Sequence, residues 1–316
     1  MDFEKIKIKI KKLVEEELFS LEPWIINVGW EEKLPKLNEL REKVKDMGLW
    51  LPQIPKEYGG LGLSLQQHGE VSEILGMSPY GHYIFNCQAP DAGNMEILIE
   101  FGTKEQKEKY LYPLLEGKTR SCFAMTEPNY AGSNPVKMGT IAKKEGENYI
   151  INGHKWFTSG FDGSSFVIVM LITKPEEDNQ HKRASQIIIP TDTDGLEFVR
   201  NVQIMGHPGG GWESHSEIKF NNCKVSSSNV LGGDGEGFSI AQKRLGPGRI
   251  HHCMRWIGIC ERSFDLMCKR AVSREISHGK KLADKQTIQN WIAECRAEIN
   301  AARLLVKDAA EKIDKN

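Results

Sequence analysis

The chain has 316 residues, 39% hydrophobic and 27% charged, with a formal net charge of −1. That length supports two or three packed units, and the near-neutral balance gives no overall electrostatic pull toward nucleic acid or an acidic membrane. Seven scattered cysteines without a CxxC pair lend no support to zinc or thioredoxin-like chemistry, and no stretch reaches the roughly 18 apolar residues of a membrane span.

In chain order, Met1-Asp2-Phe3-Glu4 carries acid early and has no apolar run, unlike a secretory signal or an Arg-rich mitochondrial presequence. The terminal Asp314-Lys315-Asn316 is not a peroxisomal address, so the termini point to the cytoplasm. The lysines at positions 5, 7, 9, 11 and 12 fit a solvated helix face. Leu37, Leu40, Val44 and Met47 recur at helical spacing until Gly48. A turn-rich link follows through Pro52, Pro55, Gly59, Gly60 and Gly62, and Ser64 is placed to cap a helix with Val71, Ile74 and Leu75 inside. Thr103 and Gln106 form a capping box for a helix running toward Leu114.

The texture changes near Ser121. The β-branched runs 166–172 and 186–190 and the alternating 217–220 predict strands. The pairs Asn152-Gly153, Asp194-Gly195 and Asn221-Asn222 predict turns between strands. Beyond Gly237 the pattern is helical again, with Ala293, Ala297, Ala301, Leu304 and Ala309 along one side of a long helix, as in close bundle packing. The expected fold is α+β and multidomain: an all-α domain over 1–119, an antiparallel β-barrel or sandwich over 120–234, and a C-terminal helical bundle over 235–316. Two long helices do not close a bundle, so either partner helices come from another subunit or part of the bundle is absent, and an apolar face is expected to be open between about Gln286 and Ile313.

Several motif-like stretches fail on spacing. Gly233-Asp234-Gly235-Glu236-Gly237 does not fit GxGxxG. Gly209-Gly210-Gly211 lacks the Lys-Ser/Thr of a P-loop, and adjacent His251 and His252 point in different directions on a helix, so no metal site is expected. Two segments are more informative. Phe123-Ala124-Met125-Thr126-Glu127-Pro128 precedes Ala131-Gly132-Ser133, and Ile151-Asn152-Gly153-His154-Lys155-Trp156-Phe157-Thr158-Ser159-Gly160 puts an aromatic beside hydroxyls.

Together they resemble the acyl-CoA dehydrogenase family, and the resemblance covers nearly the whole chain. It extends to Pro55-Lys56-Glu57-Tyr58-Gly59-Gly60-Leu61-Gly62, to Phe101-Gly102-Thr103-Lys104-Glu105-Gln106-Lys107, and to Arg244-Leu245-Gly246-Pro247-Gly248-Arg249. Arg274 with Gly279-Lys280-Lys281-Leu282 is similar to the family's R-x-x-F-G-K-x-L, with Ser277-His278 as a one-residue insertion. Asn134 stands where the family has Asp, and Asn129-Tyr130 is an uncommon pair in that loop. Asn86-Cys87-Gln88-Ala89-Pro90 resembles a subgroup of which some members are fused to a phosphotransferase-like kinase domain.

The resemblance implies FAD bound without a Rossmann unit. Phe123, Met125 and Thr126 would line its pyrimidine side, Phe157 would stack on the isoalloxazine, and Thr158 or Ser159 would donate to its N5 or O4 edge. Arg274 would reach the pyrophosphate, often across a subunit boundary, which implies a homodimer or homotetramer. Ser133 and Arg249 would hold polar parts of an acyl-CoA. The implied reaction is the α,β-dehydrogenation of fatty-acid β-oxidation, giving trans-2-enoyl-CoA and passing electrons to electron-transfer flavoprotein. Family members are mostly mitochondrial or peroxisomal. The family's usual carboxylate base falls beyond Asn316, and Gly248 occupies the position where some relatives carry a Glu, so no catalytic residue is assigned. Three readings follow: a dehydrogenase completed by further chain, a non-catalytic variant that binds FAD or acyl-CoA, and an acyl-CoA oxidase.

Overall fold

The computed structural model describes residues 2–315. Its helices are α1 (Phe3–Leu13), α2 (Phe19–Ile25), α3 (Trp30–Asp46), α4 (Leu65–Gly76), α5 (Gly81–Ile84), α6 (Asp91–Phe101), α7 (Lys104–Gln106), α8 (Tyr112–Leu115), α9 (Gly237–Ser273) and α10 (Gln286–Asp314). Its strands are β1 (Ser121–Ala124), β2 (Ile141–Glu145), β3 (Asn148–Ser159), β4 (Phe166–Ile172), β5 (Ala184–Pro190), β6 (Leu196–Asn201), β7 (His215–Ser226), β8 (Val230–Leu231), β9 (Glu275–Ser277) and β10 (Lys280–Lys281). The chain divides into two units: a helical one built from the segments up to Asn27, Leu40–Cys87 and from Pro247 on, and a sheet unit of Val28–Glu39 and Gln88–Gly246.

In the helical unit, α1 continues into α2 through a π-helical turn at Val14–Leu18. Ile6, Ile10, Leu13, Val14 and Leu18 are buried while Lys5, Lys9, Lys11 and Lys12 stay exposed, the amphipathic division the spacing predicts. Lys7 departs from it: its ammonium bonds Glu70 on α4 at 2.8 Å, and Lys307 on α10 meets the same carboxylate at 2.7 Å. The second half of α3 buries Leu40 and Val44 and ends before Gly48, whose φ of 66° suits a residue without a side chain. Ser64 caps α4 in a reciprocal pair with Gln67, and Val71 and Leu75 are buried as expected, while Ile74 is only half-buried.

Packing of α4 on α9 depends on two glycines. A Cβ on Gly76 would lie 2.4 Å from the Arg255 carbonyl oxygen, and one on Gly258 would lie 2.0 Å from that of Glu73. Beside this crossing sit buried histidines. Ser72 Oγ donates to the His251 carbonyl at 3.0 Å and lies 2.8 Å from His82 Nε2. A hydroxyl has one proton, so His82 Nε2 is the donor in that second bond. The His251 ring meets the His68 ring edge-on at 4.3 Å, while His252 turns toward Trp256, so the adjacent pair diverges as expected.

On α10 the packed face differs from the predicted one. Ile299, Val306, Ala309 and Ala310 lie against Leu65, Ile250, Met254 and Ile257. Ala293, Ala297, Ala301 and Leu304 are exposed, so of the small-residue stripe only Ala309 joins the core of this unit.

The sheet unit holds eight strands in the order β6-β7-β3-β2-β4-β5-β8, with β1 paired to β4. Among the described residues no pairing joins β6 to β8, so the sheet is open and not a closed barrel. It is also not wholly antiparallel: β1 and β2 both pair β4 in parallel. β4 is buried along its whole length, as continuous apolar sequence requires. Val167, Val169 and Leu171 enter one core with Ile151, Ile187, Ile218 and Phe220. Met170 and Ile172 enter a second with Ala241, against which Phe123, Met125 and Phe238 pack.

Two predicted turns are bulges instead. Asn152-Gly153 and Asn221-Asn222 lie inside β3 and β7, where the register shifts between Ile151 and Gly153. Asn152 Nδ2 donates to Asn222 Oδ1 at 3.1 Å, and Asn152 Oδ1 accepts from the Asn222 N–H at 2.9 Å, so the side chains satisfy what the bulge leaves unpaired. Gly153 is required because a Cβ would lie 2.3 Å from Thr140 Oγ1 and 2.6 Å from its Cα. Asp194-Gly195 is a turn as predicted, with Gly195 at φ 84°.

Candidate functional site

The two motif segments meet where β1 runs on past Ala124 beside the C-terminal end of β3. The Trp156 N–H donates to the Thr126 carbonyl at 3.1 Å, and the Thr126 hydroxyl donates back to the Trp156 carbonyl at 2.9 Å. Lys155, buried completely, donates to Glu127 Oε1 at 2.7 Å and to the Met125 carbonyl at 2.8 Å. Glu127 also accepts from the backbone N–H of Gly139 at 2.5 Å and of Thr140 at 3.0 Å. Burial pushes the Lys155 ammonium down to about 8, and the Glu127 charge works against that shift. Burial acts to raise the Glu127 carboxyl, but Lys155 and the Gly139 donor outweigh it and hold it low. The pair is therefore ionised at neutral pH, and it clamps residues 125–127 to β3.

Just beyond the clamp the chain leaves regular strand geometry. Register between β3 and β7 slips between Lys155 and Thr158, and Phe157 adopts φ 49°, a left-handed conformation that bulky residues avoid. Its ring is 40% exposed and meets Trp156 edge-on at 4.9 Å. An aromatic side chain held in a strained backbone and turned outward is a recurrent feature of ligand contacts. The next two hydroxyls take different environments. Thr158 is wholly buried and its Oγ1 has no hydrogen-bond partner. Ser159 is half-buried, with Oγ 2.7 Å from His215 Nδ1.

Phe123 and Met125 are half-buried beside these residues. The Phe123 ring lies 4.4 Å from the Arg244 guanidinium, which bonds Asn94 Oδ1 at 3.2 Å and the Pro90 carbonyl at 3.3 Å. Burial brings Arg244 down to about 10 against the pull of Glu96 and Asp91, and burial raises Glu96 to about 7 despite Arg244. Ser133 is exposed on the loop after Pro128.

The structure thus gathers Phe123, Met125, Thr126, Phe157, Thr158 and Ser159 on one end of the sheet unit. Arg249 and Arg274 belong to the helical unit and are exposed there, Arg249 on α9 and Arg274 just after it. Ser277-His278-Gly279 turns the β9–β10 hairpin, and the Leu282 N–H closes on the Arg274 carbonyl at 2.9 Å, so the inserted residue is absorbed in a loop. Sequence reasoning gave no role to Lys155, Glu127, Arg244 or His215. The first three stood inside the quoted motifs; for His215 no signal existed, because its partner is 56 residues away.

Comparison with known proteins is consistent along the whole chain. Family models described as acyl-CoA dehydrogenase N-terminal, middle and C-terminal domains match residues 2–118, 122–223 and 235–316. The probable acyl-CoA dehydrogenase FadE2 of Mycobacterium tuberculosis is 41% identical over 287 residues, covering 89% of this chain and 68% of that protein. The chain belongs to the acyl-CoA dehydrogenase family. Acyl-CoA dehydrogenase family member 11 of Gallus gallus is 40% identical over 98% of this chain, which spans 41% of that longer protein. A solved structure from Mycobacterium abscessus, described as that of an acyl-CoA dehydrogenase, superposes with a TM-score of 0.91 at 35% identity, covering 99% of this chain and 80% of that one. FAD is the family's cofactor. Among the described residues no helix is long and apolar enough to cross a membrane.

Proposed function

We propose that this chain binds FAD and an acyl-CoA and forms the greater part of a dehydrogenase of fatty-acid β-oxidation, in three domains over 1–119, 120–234 and 235–316. The observation that carries the reading is Phe157: an exposed aromatic residue in left-handed backbone, close to a half-buried hydroxyl and two residues after the buried Lys155 of the Lys155–Glu127 pair. Bound FAD would supply the hydride acceptor for α,β-dehydrogenation. Phe157 would stack on the isoalloxazine, and Met125 and Thr126 would line its pyrimidine side. Thr158, whose buried Oγ1 has no hydrogen-bond partner among the described residues, or Ser159 would donate to the flavin's N5 or O4 edge. Phe123 would contribute through its main chain, since Arg244 already covers its ring. Arg274 would meet the pyrophosphate, and Ser133 and Arg249 the CoA moiety; both arginines are exposed. Electron-transfer flavoprotein would be the redox partner, and the assembly a homodimer or homotetramer.

Gly248 favours a second reading, in which the chain binds both ligands without turnover. It offers no carboxylate where some relatives carry a Glu. The visible spectrum of the purified chain with FAD, before and after adding an acyl-CoA, separates the two. Flavin absorbance that bleaches indicates dehydrogenation. Bound flavin that stays oxidised indicates binding alone, and no bound flavin overturns both.

A further inference from the structure

We propose that Lys155 is a positioning residue whose buried ammonium polarises the Met125–Thr126 peptide, so that the Thr126 N–H favours reduced over oxidised FAD; this rests on the FAD reading above. Lys155 Nζ lies 2.8 Å from the Met125 carbonyl oxygen, 2.7 Å from Glu127 Oε1 and 3.9 Å from Met138 Sδ, so each ammonium proton has an acceptor. The Met125 carbonyl and the Thr126 N–H belong to one trans peptide, in which they point opposite ways. The Thr126 carbonyl is taken by the Trp156 N–H at 3.1 Å, and the Thr126 hydroxyl donates to the Trp156 carbonyl at 2.9 Å. Among the described residues the Thr126 N–H itself meets no acceptor.

An ammonium bond to a carbonyl is about twice as strong as a neutral one, and bonds in a chain strengthen one another by roughly 10–30% in a dry interior. The Thr126 N–H is therefore a stronger donor than an ordinary amide, in the segment that lines the pyrimidine side of the flavin. Accepting a hydride gives a flavin one added negative charge, spread over that pyrimidine ring. A polarised donor holds this charge more firmly than it holds a neutral carbonyl. Glu127 does not cancel the effect. Its own charge is met by the Gly139 and Thr140 N–H groups at 2.5 and 3.0 Å, and its pull keeps Lys155 protonated.

Two measurements on the full chain test this. Met125-Thr126 is the one Met-Thr step in the sequence, so labelling methionine carbonyl carbons and threonine nitrogens isolates the Thr126 amide by NMR. Its proton should move downfield when FAD binds, and further when the bound FAD is reduced with dithionite. In Lys155→Met with Glu127→Gln, affinity for reduced FAD should fall about 10-fold more than affinity for oxidised FAD, which lowers the two-electron midpoint potential by about 30 mV. A pair that only holds the loop in place would weaken both forms alike and leave the potential unmoved. That result, or a Thr126 amide indifferent to bound FAD, overturns the inference and leaves the FAD reading standing. If the double variant holds no FAD, its Thr126 amide is compared with the parent's in the absence of FAD: a parent proton downfield of the variant's supports the inference, and equal positions overturn it. A parent chain that binds no FAD overturns both.

Discussion

Lys155 Nζ lies 2.7 Å from Glu127 Oε1, with the two side chains 0% and 3% exposed. They come from separate motifs in the sequence, so this one contact joins the segment after β1 to the end of β3. Removing one partner strands a charge in a dry interior, and Lys155→Met should lower the unfolding free energy by about 3 kcal/mol. Lys155→Met with Glu127→Gln should recover part of that loss. Urea unfolding of the single and double variants measures both.

Phe157→Asn should raise stability and weaken cofactor binding together. Asn tolerates left-handed backbone, and relief of the φ 49° strain is worth about 1 kcal/mol. Loss of the stacking ring should weaken FAD binding about 2- to 10-fold. Urea midpoint and flavin titration on the same preparation show whether the two move in opposite directions.

Gly153→Ala should destabilise the chain by about 2 kcal/mol, as overpacking against backbone does. The new methyl would meet Thr140 Cα at 2.6 Å, which rotation of a side chain does not relieve. Equilibrium unfolding checks the magnitude.

The helical unit should be acid-labile. Burial holds His82 down to about 3 and His251 to about 4, against about 6.5 in an unfolded chain. Below pH 6.5 the unfolded state binds protons the folded one refuses, so stability falls with pH until those folded values are reached. At pH 5 each histidine should have lost about 2 kcal/mol. Urea midpoints between pH 7.5 and 5 report the slope, and His82→Gln should flatten it.

Gly248→Glu should fold. Nothing lies within 4 Å of the position its Cβ would take, and a Gly-to-Glu change inside a helix gains about 0.5 kcal/mol in propensity. If the dehydrogenase reading holds, this variant should bleach bound flavin with acyl-CoA faster than the parent does.

Much of the layout was legible because it rests on short-range rules. Ser64 with Gln67 and Thr103 with Gln106 are capping boxes within one turn, and the run 166–172 is apolar without interruption because β4 is covered on both faces. What escaped was long-range. Asn-Gly reads as a hairpin turn when only its neighbours are known; it became a bulge because Asn222, 70 residues on, supplies the complementary amide. The α10 stripe was visible, but which side of a helix finds a partner depends on what stands opposite. Lys155 lay in plain view inside a motif, yet burial of a lysine is decided by a carboxylate 28 residues away.

The strand β4 carries a hazard that its final position conceals. Phe166–Ile172 has seven apolar residues, no charge and no proline, the makeup of segments that self-associate as stacked strands. In the finished sheet β1, β2 and β5 pair with it and both faces are covered. β5 ends 18 residues further along the chain, and Phe220 and Ala241, which cover the two faces of β4, come later still, so a growing or heat-opened polypeptide shows this segment before its last cover arrives. Heating should consequently end in precipitate rather than reversible melting, and the useful measure of durability for this protein is the rate at which it opens.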